Sequence, residues 1–315
     1  MKRRDVLGLL LLGGPLSKTI WAQQPAGQQP AGRGGQPQGP PTVEVEKLTD
    51  NLVLLRGGGG TTAVLLRGDG VTIVDTKNPK FGAPIIAAVK ELTGRPVTTI
   101  INTHCHGDHV SGNVEFPAIE VIAHEATAAN MKNWKPVAGF PAPKEPTPSI
   151  FEQNGNRNLP TRTFGDRLTL GKGPDQIELY FFGRGHTNGD AWILFPAQRV
   201  VHAGDIFAWN NQIPILDSNN GASGVSYPDT LMKARAALSK SADRIITGHS
   251  TVMTFNDLRA FADFNRSFLD AARAAKKKGQ TADDFVKTWT PPAGINAPTG
   301  ARLPTNVQAI YNEIG

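Results

Sequence analysis

Hydrophobic and polar residues alternate in several short segments of the first half of the chain, and this period of two predicts β-strands. The predicted strands are residues 43–46, 51–55, 61–66, 71–74 and 97–101. Asp69 and Gly70 separate two of them, and an Asp-Gly pair between apolar runs is typical of a tight hairpin. Apolar residues recur at helical spacing over 85–92, and Gly94 ends that predicted helix. The first half therefore predicts a hairpin sheet that continues into a strand–helix–strand unit.

The second half of the chain repeats this order of strands followed by helices. Further strands are predicted at 121–123, 168–170, 177–182, 191–195, 199–202 and 244–246. Helices are predicted to begin at Glu125, Pro228 and Asn256, with two more at about 282–289 and 306–314. A proline-rich stretch at 136–160 has neither period and predicts a long loop. The order indicates an α/β protein with two sheets face to face and helices outside.

The N-terminal 42 residues differ in composition from the rest of the chain. Residues 1–22 are predicted to be an export signal, with Arg3 and Arg4 as a twin-arginine pair and a cleavage site after Ala22. The apolar core of this signal is too short to span a bilayer, so no stable membrane span is expected after cleavage. Residues 23–42 are rich in Gln, Pro and Gly and predict a flexible linker. We therefore expect the folded domain at 43–315 and a periplasmic location.

Charge and cysteine content exclude several classes of partner. The full chain has a formal net charge of +6; without residues 1–22 it has 29 basic and 26 acidic side chains, a net of +3. This weak excess forms no Lys/Arg stripe and predicts no nucleic-acid partner. Cys105 is the only cysteine, so an intrachain disulfide is impossible. The expected partner is a small-molecule substrate, and the oligomeric state is left open.

The densest group of chemically active residues is His-Cys-His-Gly-Asp-His at 104–109, directly after the predicted strand 97–101. Imidazole and carboxylate together are ligands of borderline divalent metals, most often zinc. Strand alternation would point His104 and His106 to one side and Cys105 to the other. Cys105 is therefore expected to be a small buried residue, with a redox role beside the site as the alternative.

Other residues of the same types lie at predicted strand ends. Asp108 and His109 follow the end of their strand, where the chain can turn them toward a second ion. Three later predicted strands are followed by His186, Asp205 and His249. The carboxyl ends of strands in α/β sheets are where sites generally lie, so these side chains are expected to meet.

The pattern His-x-His-x-Asp-His, followed in order by Gly-His, Gly-Asp and Gly-His, resembles the metallo-β-lactamase superfamily of metal-dependent hydrolases. The resemblance covers most of the chain after the linker and implies an αβ/βα four-layer sandwich with metals at one edge. It also implies that a buried Asp75 braces the histidine loop, and that the glycine loop 57–60 is a flap over the site or a plain turn. His124, at an element boundary, and His202, within an alternating strand, are expected to be structural.

The same resemblance divides seven residues between two metal ions. These are His104, His106 and His186 for a first zinc, Asp108, His109 and His249 for a second, and Asp205 as the bridging carboxylate. Three protein nitrogens leave the first ion an open position. A water shared by two cations loses a proton near neutral pH and becomes a nucleophile, which Asp108 would help to orient as a catalytic residue.

These features predict a periplasmic binuclear zinc hydrolase that attacks an ester, thioester, lactone or amide carbonyl. A bridging residue such as Asp205 is typical of relatives that resemble glyoxalase II, lactonases and phosphodiesterases, whereas two-metal β-lactamases usually lack it. Export nevertheless favours a metallo-β-lactamase as the first alternative. An iron-dependent oxidoreductase that resembles persulfide dioxygenases is the second alternative, and a metal-dependent binding protein without chemistry is the third.

Overall fold

The computed structural model describes residues 41–141, 148–296 and 300–315, and the residues from Pro41 onward form one compact unit. The predicted export signal and residues 23–40 of the predicted linker lie outside the described residues. In the described part of the chain, no helix combines the length and the apolar character that a membrane span requires.

Segments rich in leucine and β-branched residues form the first sheet. Within the described residues its strands follow chain order: β1 (Glu44–Lys47), β2 (Leu52–Arg56), β3 (Thr62–Arg67), β4 (Gly70–Val74), β5 (Val97–Ile101), β6 (Glu120–His124) and β7 (Arg162–Phe164). Neighbours are antiparallel from β1 to β4 and parallel from β4 to β7. Arg67 pairs with Gly70, which confirms the predicted hairpin. The parallel part brings the carboxyl ends of β4, β5 and β6 to one edge.

The second sheet is built from the later strands. They are β8 (Arg167–Leu170), β9 (Ile177–Tyr180), β10 (Trp192–Phe195), β11 (Val200–Gly204) and β12 (Arg244–Thr247), in the spatial order β12-β11-β10-β9-β8. The pair β11–β12 is parallel and the other neighbours are antiparallel. The helices are α1 (Gly82–Thr93), α2 (Gly107–Val110), α3 (Glu125–Lys132), α4 (Ile150–Gln153), α5 (Tyr227–Leu238), α6 (Phe255–Lys277), α7 (Ala282–Thr288) and α8 (Arg302–Glu313).

Strand alternation separates the core into three apolar layers. Leu52 and Leu54 of β2 pack against residues of the second sheet, whereas their neighbours Val53 and Leu55 pack in a cluster that includes Ile85 of α1. The opposite face of the second sheet packs against α5, α6 and α8. Complete burial of each such leucine or valine stabilises the fold by about 1.5–3 kcal/mol. The layers run helix, sheet, sheet, helix, so the predicted αβ/βα sandwich is confirmed.

Several local expectations are wrong. The predicted cap Asn256 lies inside α6, and Thr254 caps this helix in a reciprocal pair with Asp257. The sequence pattern also missed α2, α4 and β7, and it placed the start of α8 four residues too late. These missed elements are three to four residues long, which is too short for a helical or strand period to show.

Candidate metal centre

Loops from both sheets converge on one edge of the sandwich. β5 leads into residues 104–109, β11 ends immediately before Asp205, and β12 is followed by His249. His186 lies in the connection between β9 and β10. The structure thus brings together all seven residues that the resemblance assigns, as one group of His104, His106, His186 and Asp205 and another of Asp108, His109 and His249. Within each group, the candidate ligand atoms lie within 4.8 Å of one another.

The first group is a cage of buried imidazoles. His106 Nδ1 lies 3.1 Å from His186 Nε2, and the ring of His104 lies 4.7 Å from that of His106 and 4.8 Å from that of His186, between centroids. His104, His106 and His186 are each 5% exposed or less. Cys105 between them points away into an apolar cluster, as the sequence predicted.

The second group is more open. α2 makes a single turn after His106 and thereby directs Asp108 and His109 back toward the sheet edge. His249 Nε2 lies 3.3 Å from His109 Nε2 and 3.2 Å from Asp108 Oδ2. The side chains of Asp108 and His249 are 33% and 25% exposed, so they mark the side on which the site meets solvent.

Asp205 lies between the two groups. Its Oδ1 is 3.1 Å from His109 Nε2, and its Oδ2 is 3.2 Å from His249 Nε2 and 3.9 Å from His186 Nε2. A Cβ at Gly248 would lie 1.8 Å from Asp205 Oδ1, so only glycine lets the end of β12 approach this carboxylate. The carboxylate of Asp205 therefore lies within 4 Å of imidazole nitrogens from both groups.

One buried carboxylate orients two of the rings. Asp75 accepts hydrogen bonds from the Thr103 amide (2.8 Å), the Thr103 hydroxyl (2.7 Å) and His109 Nδ1 (2.7 Å). Because the Thr103 hydroxyl has given its proton to Asp75, it must accept one from His104 Nδ1 at 2.9 Å. His104 therefore presents an unprotonated Nε2 to the centre, and His109 directs its Nε2 to the same place. This is the bracing role that the resemblance implied for Asp75.

The other two buried rings are oriented by the loop that follows Asp205. His106 Nε2 donates to Asp217 at 2.8 Å, and His186 Nδ1 donates to the carbonyl of Ile215 at 2.7 Å. Each ring is left with its other nitrogen as an electron-pair donor facing the centre. The sequence analysis missed Asp217, whose only signal was its place in the segment after Asp205.

The histidine pKa values shift in opposite directions in the two groups. Burial, reinforced by His109 and His106, holds the pKa of His104 well below its usual value, and burial beside His106 lowers the pKa of His186. Burial also opposes the charging of His249, but Asp205 and Asp108 outweigh it and raise the pKa of His249 to about 9. The carboxylates that draw protons onto the second group would draw a cation there instead.

The donor set fits a divalent metal. Within the described residues, the buried atoms His104 Nε2 and Asp205 Oδ1 have no hydrogen-bond partner. A buried polar atom without a partner is destabilising, and a metal ion would satisfy both. Imidazole and carboxylate ligands suit zinc, copper, iron and similar ions, and three nitrogens plus an open position is a catalytic arrangement.

Residues expected to be structural lie outside the cluster. His124 caps α3 through a bond from the Ala126 amide and stacks on Phe181. His202 is fully buried and bonds the carbonyl of Thr61 and the amide of Gly204, and its burial lowers its pKa to about 4.

The glycine loop 57–60 packs against the cluster. The Gly60 amide donates to the carbonyl of Asp108 at 2.9 Å, and a Cβ at Gly60 would lie 2.1 Å from the His109 ring. Lys77, which the sequence analysis did not single out, is completely buried and donates to the carbonyls of Gly60 (2.6 Å) and Leu55 (2.8 Å). These bonds fix the loop as part of the wall rather than as an overhanging flap.

Comparison with known proteins agrees with this geometry. The chain is 26% identical over 192 residues to the 2,4-dinitroanisole O-demethylase subunit alpha of Nocardioides sp., a match covering 55% of this chain and 53% of that protein. It is 30% identical over 139 residues to the hydroxyacylglutathione hydrolase of Gloeothece citriformis, covering 43% and 42%. The matches thus span only about half the length of these curated relatives.

A solved structure supports the fold. The metallo-β-lactamase from Pontibacter korlensis superposes with a TM-score of 0.57 at 18% identity, covering 71% of this chain and 99% of that one. The family model described as the metallo-beta-lactamase superfamily matches residues 56–249, which include all seven clustered residues. The chain therefore belongs to the metallo-β-lactamase superfamily.

Proposed function

We propose that this protein is an exported binuclear zinc hydrolase that cleaves an ester, thioester, lactone or amide. The observation that carries the proposal is the convergence of five imidazoles and two carboxylates into two adjoining groups of ligand atoms, with Asp205 between them. Membership in the superfamily supports a metal-dependent hydrolase, and the donor set supports zinc as the metal.

In this proposal the buried imidazoles His104, His106 and His186 would hold one ion. Asp108, His109 and His249 would hold the other, and Asp205, which lies between the two groups, would supply its carboxylate to both. When bound, two zinc ions would supply a water acidified to near-neutral pH and a Lewis acid for the substrate carbonyl.

Other features of the site would orient the attacking water and hold the candidate ligands in place. Asp108 faces the open side and stays ionised, because burial, which would raise its pKa, is outweighed by His109 and His249. Its free oxygen can accept a hydrogen bond from an attacking water and so orient it. The rings of His109 and His106 are held from behind by Asp75 and Asp217, which keeps the orientation of these two side chains fixed.

The expected substrate is a small carbonyl compound, and the runner-up is a β-lactam. Similarity to hydroxyacylglutathione hydrolase, whose name denotes a hydrolase, supports a small carbonyl substrate. The 25% identity over 176 residues to the metallo-beta-lactamase type 2 of Elizabethkingia meningoseptica supports a β-lactam. The twin-arginine-like residues at the N-terminus support export to the periplasm. An iron-dependent oxidoreductase is the remaining alternative, since imidazole and carboxylate also bind iron.

Replacement of the bridging carboxylate tests the proposal. Asp205→Asn keeps the shape of the side chain but removes its charge, so hydrolysis should fall by about 100-fold or more and binding of one zinc should weaken. The matched control is His124→Asn, which retains an N-capping side chain outside the cluster and should keep both properties. Unchanged metal content and rate in Asp205→Asn would reject the binuclear assignment.

A further inference from the structure

The C-terminal helix brings a positive charge to the open side of the metal centre. Among the seven clustered residues, Asp108 and His249 are the ones with substantially exposed side chains. The ring of Trp209 lies 5.9 Å from that of His249, and Arg302 Cζ lies 4.9 Å from the centre of the Trp209 ring. Arg302 therefore stacks on the residue that flanks the mouth of the site.

The guanidinium of Arg302 is fixed by a hydrogen bond but has no ion-pair partner among the described residues. Arg302 Nη1 donates to the Gln212 side chain at 2.9 Å, and in the described ranges no carboxylate lies within ion-pair distance of it. Burial lowers its pKa, opposed by the charge of Asp205, but a guanidinium keeps its proton in proteins. A half-buried cation that lacks an anionic partner has electrostatic attraction available for a ligand.

The helix that carries Arg302 is fixed against the loop that orients the metal ligands. One turn later on the same face, Asn306 donates to the carbonyl of Pro214 (2.7 Å) and accepts from the Leu216 amide (3.1 Å). At the other end of α8, Glu313 accepts from the Ser223 hydroxyl and the Gly224 amide. Arg302 therefore has a defined position relative to the site rather than a freely moving one.

We propose that Arg302, stacked on Trp209, forms a subsite for a carboxylate on the substrate, placed beside the carbonyl that is cleaved. The planar guanidinium fork binds a carboxylate through two parallel hydrogen bonds, and the aromatic face holds the fork in orientation. Trp209 lies inside the segment 56–249 that matches the family model, whereas Arg302 lies outside it, so the charge of this subsite comes from the C-terminal extension of this chain. The inference rests on the proposed function and narrows its substrates to carbonyl compounds that carry an acid group.

A binding test avoids any dependence on turnover. The probes are 3-mercaptopropionate and 3-mercaptopropanol, since a thiolate is a zinc ligand, only the first probe carries a carboxylate, and neither contains a bond that a hydrolase could cleave. They are titrated calorimetrically into the zinc-loaded protein, its Arg302→Gln variant and its Arg302→Lys variant. Arg162→Gln is the control, because it removes an equally charged side chain at the start of β7, at the opposite edge of the first sheet from the metal loops.

The expected result is selective. Arg302→Gln should weaken binding of 3-mercaptopropionate by about 10- to 100-fold and that of 3-mercaptopropanol by less than about twofold, with unchanged zinc content. Arg302→Lys should recover part of the loss, because it restores the charge without the fork. Equal weakening of both probes, or no weakening, would overturn the subsite.

Hydrolysis assays distinguish failure of the proposed hydrolase function from failure of the Arg302 subsite. 4-Nitrophenyl valerate and mono-4-nitrophenyl glutarate have acyl chains of five carbons each, and only the second has a carboxylate. If neither ester is cleaved but the calorimetric selectivity is observed, the proposed ester hydrolysis is contradicted and the carboxylate subsite at Arg302 is supported. If both are cleaved and Arg302→Gln leaves their ratio of kcat/KM unchanged, the hydrolase stands and the subsite is rejected.

Discussion

The buried imidazoles are oriented by specific hydrogen-bond partners on the side away from the centre. Asp75 accepts a hydrogen bond from His109 and orients His104 through Thr103, while Asp217 accepts a hydrogen bond from His106. The ligands themselves were predictable, because six successive positions carry four of them. Asp217 was not, since it lies 111 positions from the ring it holds and no periodic pattern marks it.

Gly60 packs directly against the ring of His109 and leaves no room for a side chain. In Gly60→Ala the new methyl would lie 2.1 Å from the His109 ring, so the ring or the loop must shift, which disturbs the hydrogen bond from His109 to Asp75. We expect a loss of about 1–3 kcal/mol in the free energy of unfolding and at least a tenfold weaker affinity for one zinc ion. Chemical denaturation and competition with a chelating dye measure the two effects.

The control for that substitution is Gly165→Ala. No heavy atom lies within 4 Å of a Cβ at Gly165, so stability and zinc affinity should stay unchanged. If Gly60→Ala keeps the zinc affinity of the wild type, the loop 57–60 can shift without cost, and its packing does not fix the position of His109.

Lys77 is an unusual residue for a protein interior, and its charge depends on pH. Burial, partly offset by Asp75, lowers its pKa to about 7, whereas an unfolded chain keeps the lysine protonated to about pH 10. Between these pH values the unfolded state binds more protons than the folded state. The contribution of Lys77 to stability therefore increases as the pH rises from about 7 to about 10.

Replacement of Lys77 by methionine should remove that pH dependence. Lys77→Met should also lower the free energy of unfolding by about 2–4 kcal/mol, because the carbonyls of Leu55 and Gly60 lose their donor. Urea denaturation at pH 7, 8, 9 and 10 measures both effects, with the exposed Lys90→Met as control. Parallel stability curves for wild type and Lys77→Met would contradict the assigned shift.

At the scale of elements, the long strands and helices follow from hydrophobic period, and the short ones do not. β2 to β5 fall within one residue of the prediction, and α1 begins three residues before its predicted start. α2 consists of Gly107–Val110, only four residues, of which Asp108 and His109 belong to the candidate metal centre. The tertiary surroundings fold this turn, so local sequence could not predict it.

The role of α8 was also hidden from the sequence. Its apolar period predicts a helix, but its contact with the loop 213–217 joins residues about ninety positions apart. Through Asn306 this helix supports the Ile215 carbonyl, which orients His186.

Loss of that support should reach the metal centre. Asn306→Ala leaves the buried Leu216 amide and Pro214 carbonyl without partners, and we expect a loss of about 2–4 kcal/mol in unfolding free energy with weaker zinc binding. The control is Gln308→Ala, an exposed position of the same helix. If the zinc affinity of Asn306→Ala equals that of Gln308→Ala, α8 has no part in positioning the ligands.

At the scale of the whole molecule, two sheets meet at one edge and each contributes ligands that neither could assemble alone. The order of strands and helices along the chain was enough to predict the sandwich. The shape of the mouth was not predictable, because it depends on how the C-terminal extension folds back beside Trp209. Substrate choice is therefore expected to depend on that extension, while the reaction type depends on the shared centre.

The most direct measurement is the metal content of the purified domain together with its rate on an ester, a lactone, a thioester, a β-lactam and a phosphodiester. The account predicts about two zinc ions per chain and turnover of a carbonyl class, lost on chelation and restored by zinc. One iron ion per chain with no hydrolysis of any of the five would contradict it and place the protein among the oxygen-dependent members of its superfamily.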